Sequence, residues 1–304
     1  MNLKKIRCGD YSAVINLDRG ANCISLRNER LGVIALREPD YGKGELDNPY
    51  LYGMPILFPV NRISGGSFEF EGRTYRFPVN EEKTGCHLHG ELHKAPFSLT
   101  EESENRLVCS FRSSEYLSFP HDFEIIMEYS LSDAGLTHTT KITNHSDTNM
   151  PCMIGFHTTF NSAFAGGRDV CAMVEIEKEF ERNMENYLPT GNMPELDSVS
   201  LALKNGSFSP FEKPISRHYR AGGGTMSLTD NESGLALIYE NSENFVFRLI
   251  YNGGADEYIC LEPQNCAANA PNAPFGREIG GFEFIKPKET KIFTSKIYVK
   301  EIKK

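Results

Sequence analysis

Two short stretches of this sequence place proton-transfer side chains where a sheet would hold them. In Met150-Pro151-Cys152-Met153-Ile154-Gly155-Phe156-His157-Thr158-Thr159-Phe160-Asn161 the run is apolar until His157. An imidazole at the end of a buried strand sits at the edge of a cleft. Gly155, two residues earlier on the same face, leaves room for something to approach. In Tyr258-Ile259-Cys260-Leu261-Glu262-Pro263-Gln264-Asn265, Glu262 likewise follows an apolar strand. A carboxylate there must be hydrogen-bonded, paired or raised in pKa, and each condition also makes an active-site base. Taken alone, His157 reads equally well as a satisfied core histidine, and Glu262 as a strand-end carboxylate in water.

Two further stretches carry donors. Cys86-His87-Leu88-His89-Gly90-Glu91-Leu92-His93 gathers three histidines and a cysteine, a set that suits zinc. A cupin-type site would need a Glu several residues after the second His and another His on a later strand. The nearby Glu, Glu91, is only two residues on, and no later histidine sits in a matching motif, so no metal is expected. His87 and His93 read as packing or surface residues, whereas His89, between Leu88 and Gly90 at a strand end, reads as a donor to a ligand hydroxyl. In Gly53-Met54-Pro55-Ile56-Leu57-Phe58-Pro59-Val60-Asn61-Arg62-Ile63, Arg62 emerges from an apolar run and offers a fork of donors. Gly222-Gly223-Gly224 lacks the Lys-Ser or Lys-Thr of a phosphate-cradling loop, and no Gly-x-Ser-x-Gly elbow occurs. With no Trp in the chain, Phe or Tyr would have to supply any stacking face.

The elements that must position these groups read as strands. Phe123, Ile125, Met127, Tyr129 and Leu131 alternate with polar residues, and Leu136, His138, Thr140 and Ile142 continue in period two. Phe293 to Val299, Leu107 to Phe111 and Phe245 to Tyr251 follow the same pattern. Glu71-Gly72, Asp133-Ala134-Gly135, Asn144-His145-Ser146-Asp147 and Asn252-Gly253-Gly254 read as the turns between strands. Short helical turns are expected near Ser114 to Leu117 and Gly276 to Gly280. Residues 179–219 read as long loops, the kind that carry binding function. The expected architecture is all-β, a large antiparallel β-sandwich forming a single domain over residues 1–304.

A net charge of −9 argues against a nucleic-acid binder, which needs clustered Lys and Arg. No stretch approaches the roughly 20 apolar residues of a membrane helix. The N-terminus turns polar at once, unlike a signal peptide. Eight scattered cysteines without a CxxC pair read as reduced thiols in a cytoplasmic protein, a setting in which the sequons at Asn144, Asn205 and Asn231 carry no glycan.

Pro55-Ile56-Leu57-Phe58-Pro59-Val60-Asn61-Arg62-Ile63, the segment Ser67-Phe68-Glu69-Phe70-Glu71-Gly72-Arg73-Thr74-Tyr75, Asn80, Leu88-His89-Gly90, Gly155-Phe156-His157, Leu188-Pro189-Thr190-Gly191 and Leu261-Glu262-Pro263-Gln264 occur in one order. Together they resemble the aldose 1-epimerase (galactose mutarotase) family. The resemblance implies a galactose-mutarotase-like supersandwich, a monosaccharide as the partner and no required cofactor. It implies Glu262 as general base, His157 as general acid, and Arg62, His89 and Asn80 as sugar-binding residues. Two features depart from the family. Thr158-Thr159-Phe160-Asn161 follows the histidine without the family's Tyr. Ile215-Ser216-Arg217-His218-Tyr219 stands where the family has a hydroxyl-binding Asp. Arg217 and His218 are therefore expected to bind substrate, and to favour a phosphorylated or acidic sugar. In the implied reaction the two groups stand on opposite sides of the sugar, and ionised Glu262 keeps His157 protonated. The alternatives are a non-catalytic carbohydrate-binding protein on the same fold, a glycoside-cleaving enzyme, which would need a second carboxylate, and a cupin-like metalloprotein.

Overall fold

The computed structural model describes residues 1–43, 46, 48–254 and 257–302. The thirteen strands of its main sheet are, in chain order, β1 (Ile56–Leu57), β2 (Ser98–Glu102), β3 (Arg106–Ser113), β4 (Phe123–Ser132), β5 (Gly135–Asn144), β6 (Gly155–Phe156), β7 (Thr159–Asn161), β8 (Val170–Glu179), β9 (Ser216–Asp230), β10 (Leu235–Asn241), β11 (Phe247–Tyr251), β12 (Tyr258–Gln264) and β13 (Thr290–Glu301). They pair antiparallel in the order β2-β3-β4-β5-β13-β10-β9-β11-β12-β6-β1, with β7 also on β12 and β8 also on β9. A four-stranded sheet of Leu3–Cys8, Tyr11–Asn16, Asn22–Asn28 and Val33–Ile34 stands beside it. One apolar cluster draws on residues from Ile6 to Ile297. This is the all-β, antiparallel architecture expected from the sequence.

The period-two runs became strands because alternate side chains reach the core. Phe123, Ile125, Met127, Tyr129 and Leu131 of β4 are all buried, while the residues between them, Glu124 to Ser130, are half-exposed. At Glu71-Gly72 both residues take positive φ, 47° and 74°, and close the hairpin of Ser67–Phe70 with Arg73–Arg76. Strand β12 differs, since every residue from Tyr258 to Gln264 is buried. It lies between β11 and the short strands β6 and β7, with packed layers on both faces. Glu262 is thus inside a central strand rather than at the end of one.

Residues 179–219 are not all loop. They contain the helix α1 (Ser198–Asn205), capped by the Asp197 side chain on the Val199 and Ser200 amides and closed by Gly206 in the left-handed conformation. Asp197 followed nine residues later by Gly206 is a helix signature that the sequence does carry. The helical turn expected at 114–117 appears as a 3₁₀ turn at Tyr116–Ser118, and the one expected at 276–280 as a single turn in which the Gly280 amide donates to the Gly276 carbonyl at 3.1 Å, following a 3₁₀ turn at Ala270–Asn272.

Candidate active site

Strand register brings His157 and Glu262 together. Gly155 of β6 pairs with Gln264, and Thr159 of β7 pairs with Cys260. Each interval is four residues, so His157, in the gap between the two short strands, falls opposite Glu262 on the same face. Its amide is held by the Pro55 carbonyl at 3.0 Å, and the Leu261 amide donates to the Thr158 carbonyl at 2.9 Å. His157 Nε2 lies 3.2 Å from Glu262 Oε1, without the alignment of a hydrogen bond. The second oxygen of Glu262 is fixed: Gln264 Nε2 donates to Oε2 at 3.2 Å, and Asn61 Nδ2 donates to Gln264 Oε1 at 3.1 Å. The space expected at Gly155 for a ligand is filled by the protein. A Cβ there would meet Val60 Cγ2 at 2.6 Å and the Pro263 carbonyl at 2.9 Å.

Burial decides the charge state of this pair. Glu262 is 0% exposed and His157 7%. Loss of solvent pushes the Glu262 carboxyl up to about 8, against the pull of Gln264, Arg182 and Arg62. The same loss pushes the His157 imidazole down to about 3. The two groups together hold one proton near neutral pH, and burial favours the uncharged arrangement of carboxylic acid beside neutral imidazole. The expected ion pair, with carboxylate stabilising imidazolium, is the costlier arrangement in this enclosed state.

Loops supply the remaining groups. Arg62 pairs with Leu88 across the short ladder of Arg62–Ser64 and Cys86–Leu88, which puts His89 beside it. His89, Asn61 and Asn269 all take left-handed backbone, with φ of 62°, 61° and 54°. Each costs about 1–2 kcal/mol relative to an ordinary conformation. They are tied together, because the His89 amide donates to the Asn61 carbonyl and the Asn269 amide to the Arg62 carbonyl. The turn at His89 brings its ring edge-on to that of His157, at 5.6 Å. Gly90 completes the turn, since a Cβ there would fall 1.8 Å from the Phe58 carbonyl oxygen. Asn80 is exposed and spends both ends of its amide on the Leu88 backbone, at 3.0 and 2.6 Å. It braces the strand that presents His89. Arg62 gives Nε and Nη2 to Glu81 at 2.6 and 2.7 Å, leaving Nη1 outside that fork.

Arg217 and His218 separate. In β9, His218 pairs with Leu249 of β11, which pairs with Glu262 of β12, so the three share a face. Arg217, one residue away, points to the opposite face. There it binds Glu179 at 2.7 and 2.9 Å and Asp197, the cap of α1, at 2.7 Å. The expectation that Arg217 faces a substrate is corrected by this alternation. His218 stays on the Glu262 side, buried near Phe180 and Phe247 with neither ring nitrogen hydrogen-bonded.

Three residues that the sequence reading did not single out belong to this region. Tyr50 packs its ring 4.9 Å from His89 and 5.9 Å from His157. Tyr187, at a φ of 59°, lies 4.6 Å over the Arg62 guanidinium. Arg182 is 8% exposed. Its Nη2 donates to Ser216 Oγ at 2.9 Å, and it feels the charges of Arg62 and Glu262. Burial lowers its guanidinium to about 10. None of the three carried a motif. Their loops fold over the site from distant parts of the chain.

His157, Cys260 and Glu262 offer ligand atoms within 4.8 Å of one another, a possible metal group. The Cys260 thiol is buried, held well above its usual pKa and within 3.4 Å of Thr159 Oγ1, which suits a packed neutral thiol better than a thiolate ligand. In the Cys86–His93 run, His87 binds the Pro78 carbonyl at 2.7 Å and stacks on Phe77. A cavity of about 480 Å³ is bordered by Arg19, Asn22, Tyr52, Pro55 and His93, whose ring lies 4.4 Å from that of Tyr50.

Residues 5–291 match the family model for aldose 1-epimerase. The chain belongs to the aldose 1-epimerase family. Relatives include two Escherichia coli K12 proteins, YphB and YihR. They are 23% and 20% identical, over 74% and 88% of this chain and 77% and 85% of their own lengths. A galactose mutarotase-like protein from Clostridium acetobutylicum has the same fold with a TM-score of 0.91. It is 28% identical over 98% of this chain and 95% of its own. An aldose epimerase homologue from C. elegans superposes with a TM-score of 0.80 over 99% of both chains, and its 16% identity speaks for the fold. Among the described residues of this family member, no helix is long and apolar enough to cross a membrane.

Proposed function

We propose that this protein is an aldose 1-epimerase in which Glu262 and His157 move the protons. The observation that carries the reading is the placement of His157 Nε2 3.2 Å from Glu262 Oε1 in an enclosed site. Ring opening removes a proton from the C1 hydroxyl, breaks the bond from C1 to the ring oxygen and protonates that oxygen. Both oxygens are bonded to C1, so a base and an acid side by side can reach them. They need not face each other across the sugar. Carboxylate Glu262 takes the hydroxyl proton and imidazolium His157 gives one to the ring oxygen. The open aldehyde then faces a carboxylic acid and a neutral imidazole. That is the charge state burial favours, and it is the state that closes the ring again after rotation about C1–C2. The cycle returns both protons and needs neither nucleophile nor cofactor. Arg62 and His89 would contact the sugar oxygens.

Polarimetry on freshly dissolved single anomers tests the assignment. The wild type should speed equilibration, and Glu262→Gln, folded by circular dichroism, should lose most of that rate. Sugar binding without faster equilibration would favour a carbohydrate-binding protein on the same fold. Near-normal turnover by Glu262→Gln would remove the carboxyl from the mechanism.

A further inference from the structure

We propose that Arg182 is a specificity residue that binds an anionic substituent (a carboxylate, sulfonate or phosphate) on the sugar, at the end of the site away from C1. This rests on the epimerase reading and names its substrate class.

The cation is buried and unmatched. Arg182 donates to one neutral partner, Ser216 Oγ. No carboxylate lies within ion-pair distance of it among the described residues. A guanidinium taken out of water is ordinarily paired, because its desolvation is otherwise uncompensated. The neighbouring arginines are paired. Arg62 is forked onto Glu81, and Arg217 onto Glu179 and Asp197. Arg182 is therefore the guanidinium of this region whose charge no carboxylate neutralises at ion-pair distance, and its planar donors are available for an oxyanion.

Its position fits an exocyclic group. Ser216, which anchors it, shares the β9 face with His218, and His218 lies two strands from Glu262 in one row. Two strand spacings separate the His218 and Glu262 backbones by about 10 Å, and the Arg182 guanidinium reaches back from Ser216 far enough to act on the Glu262 charge. With C1 at Glu262 and His157, a substituent projecting from the ring toward this wall meets Arg182.

The chemistry of this wall is donor-rich. Arg182 only donates, and the Ser216 hydroxyl already accepts from it. His218, buried with both nitrogens free, lies on the same face. A neutral His218 offers one donor and one acceptor, and Glu262 and Glu179, the carboxylates whose charges act on Arg182, lie beyond ion-pair distance of it. The unspent donors of Arg182 are what favours a substituent that only accepts, which is an oxyanion.

A second role for the same residue makes a different prediction. Arg182 could instead act through Glu262, by stabilising its carboxylate. That role would touch all sugars alike and would move the alkaline limb of the pH profile. Anomerisation by NMR of a hexuronate, a hexose 6-phosphate and the neutral hexose, each against pH, separates the two. The wild type should favour one of the anionic sugars in kcat/KM over the neutral hexose by about tenfold or more, the factor one charge-assisted hydrogen bond supplies. In Arg182→Gln that ratio should collapse through KM. Arg182→Lys, keeping charge without the fork, should hold an intermediate ratio and guards against a folding failure of the Gln variant. Equal losses on charged and neutral sugars, or a wild type that prefers the neutral hexose, would overturn the proposal. Calorimetric binding of the hexuronate and the hexose phosphate, run alongside, keeps the two readings apart. Anion binding that depends on Arg182 in a protein with no anomerisation would sink the epimerase and keep the anion site. Rapid anomerisation without anion preference would do the reverse.

Discussion

The site has two halves made in different ways. Glu262 lies in a strand and His157 in the gap between the two short strands beside it, and their approach follows from a ladder that pairs Gly155 with Gln264 and Thr159 with Cys260. Arg62, His89, Arg182, Tyr50 and Tyr187 come from loops and loop edges, held by left-handed residues and by contacts far apart in the chain. The strand half is fixed by backbone hydrogen bonds, with Gln264 and Asn61 locking the carboxyl's orientation. The loop half is held by side chains. On the proposed assignment, chemistry that must be placed to a fraction of an ångström would lie on the rigid half, and recognition on the adaptable one.

The largest expected effect tests whether the strand half acts as one unit. Glu262→Gln and His157→Asn should each lower kcat by about 10²–10⁴. The double variant should be little worse than the poorer single one, because removing either partner already breaks the proton exchange. Multiplying losses in stopped-flow polarimetry would show two independent catalysts and dissolve the pair. A related expectation follows from the shared proton. Activity should fall as pH rises through about 8, where the pair loses its last proton.

The loop half should fail differently. Arg62→Ala removes a guanidinium and strands Glu81, whereas Glu81→Gln keeps Arg62 but loosens its fork. We expect about tenfold or more loss in kcat/KM for the first, mostly through KM, and a smaller loss for the second. A kcat effect as large as that of Glu262→Gln would place Arg62 with the strand half and erase the distinction.

Stability offers a third test. The Glu262 carboxyl is raised from 4.5 to about 8 in the folded protein. Between those values the folded state keeps a proton that the unfolded chain has lost, so this group lowers stability as pH rises through the window. Glu262→Gln lacks that penalty. The Tm of the variant minus that of the wild type should increase from pH 5 to pH 8 and level off above. His157, lowered by burial, acts with the opposite sign, its contribution being lost as pH falls below 6.5. A difference that is flat with pH would mean that Glu262 is ionised in the folded protein throughout.

How much of this was legible follows the same division. The alternation in β4, β5 and β13 marked one-sided strands, and the ordered motifs led to His157, Glu262, Arg62 and His89. That Glu262 lies mid-strand was hidden, because Leu261-Glu262-Pro263 resembles a strand end and only the layers packed on both faces of β12 bury it. The loops of residues 179–219 were expected to carry binding function, but Arg182 and Tyr187 were not singled out within them, since nothing local says that residues 181–191 fold back over Arg62. Helix α1 could have been read from Asp197 and Gly206, but eight residues between loops give a weak period.

Arg217 is the smallest and sharpest case, because residues 179–219 read as loop in the sequence, and the period-two argument applies only once Ser216–Asp230 proves to be a strand. Arg217 and His218 are adjacent in a strand, so they cannot share a face. His218 lies in a row with Glu262, which leaves Arg217 with Glu179, Asp197 and α1. Its side chain is 29% exposed, so the ion pairs are partly screened. Arg217→Met should cost about 1 kcal/mol through the loosened α1 cap, read as a modest fall in Tm. Its kcat/KM on charged and neutral sugars should stay at the wild-type ratio. A loss of anion preference in this variant, of the kind expected for Arg182, would mean that the strand's far face reaches the substrate after all, and that the two halves of the site are joined through β9.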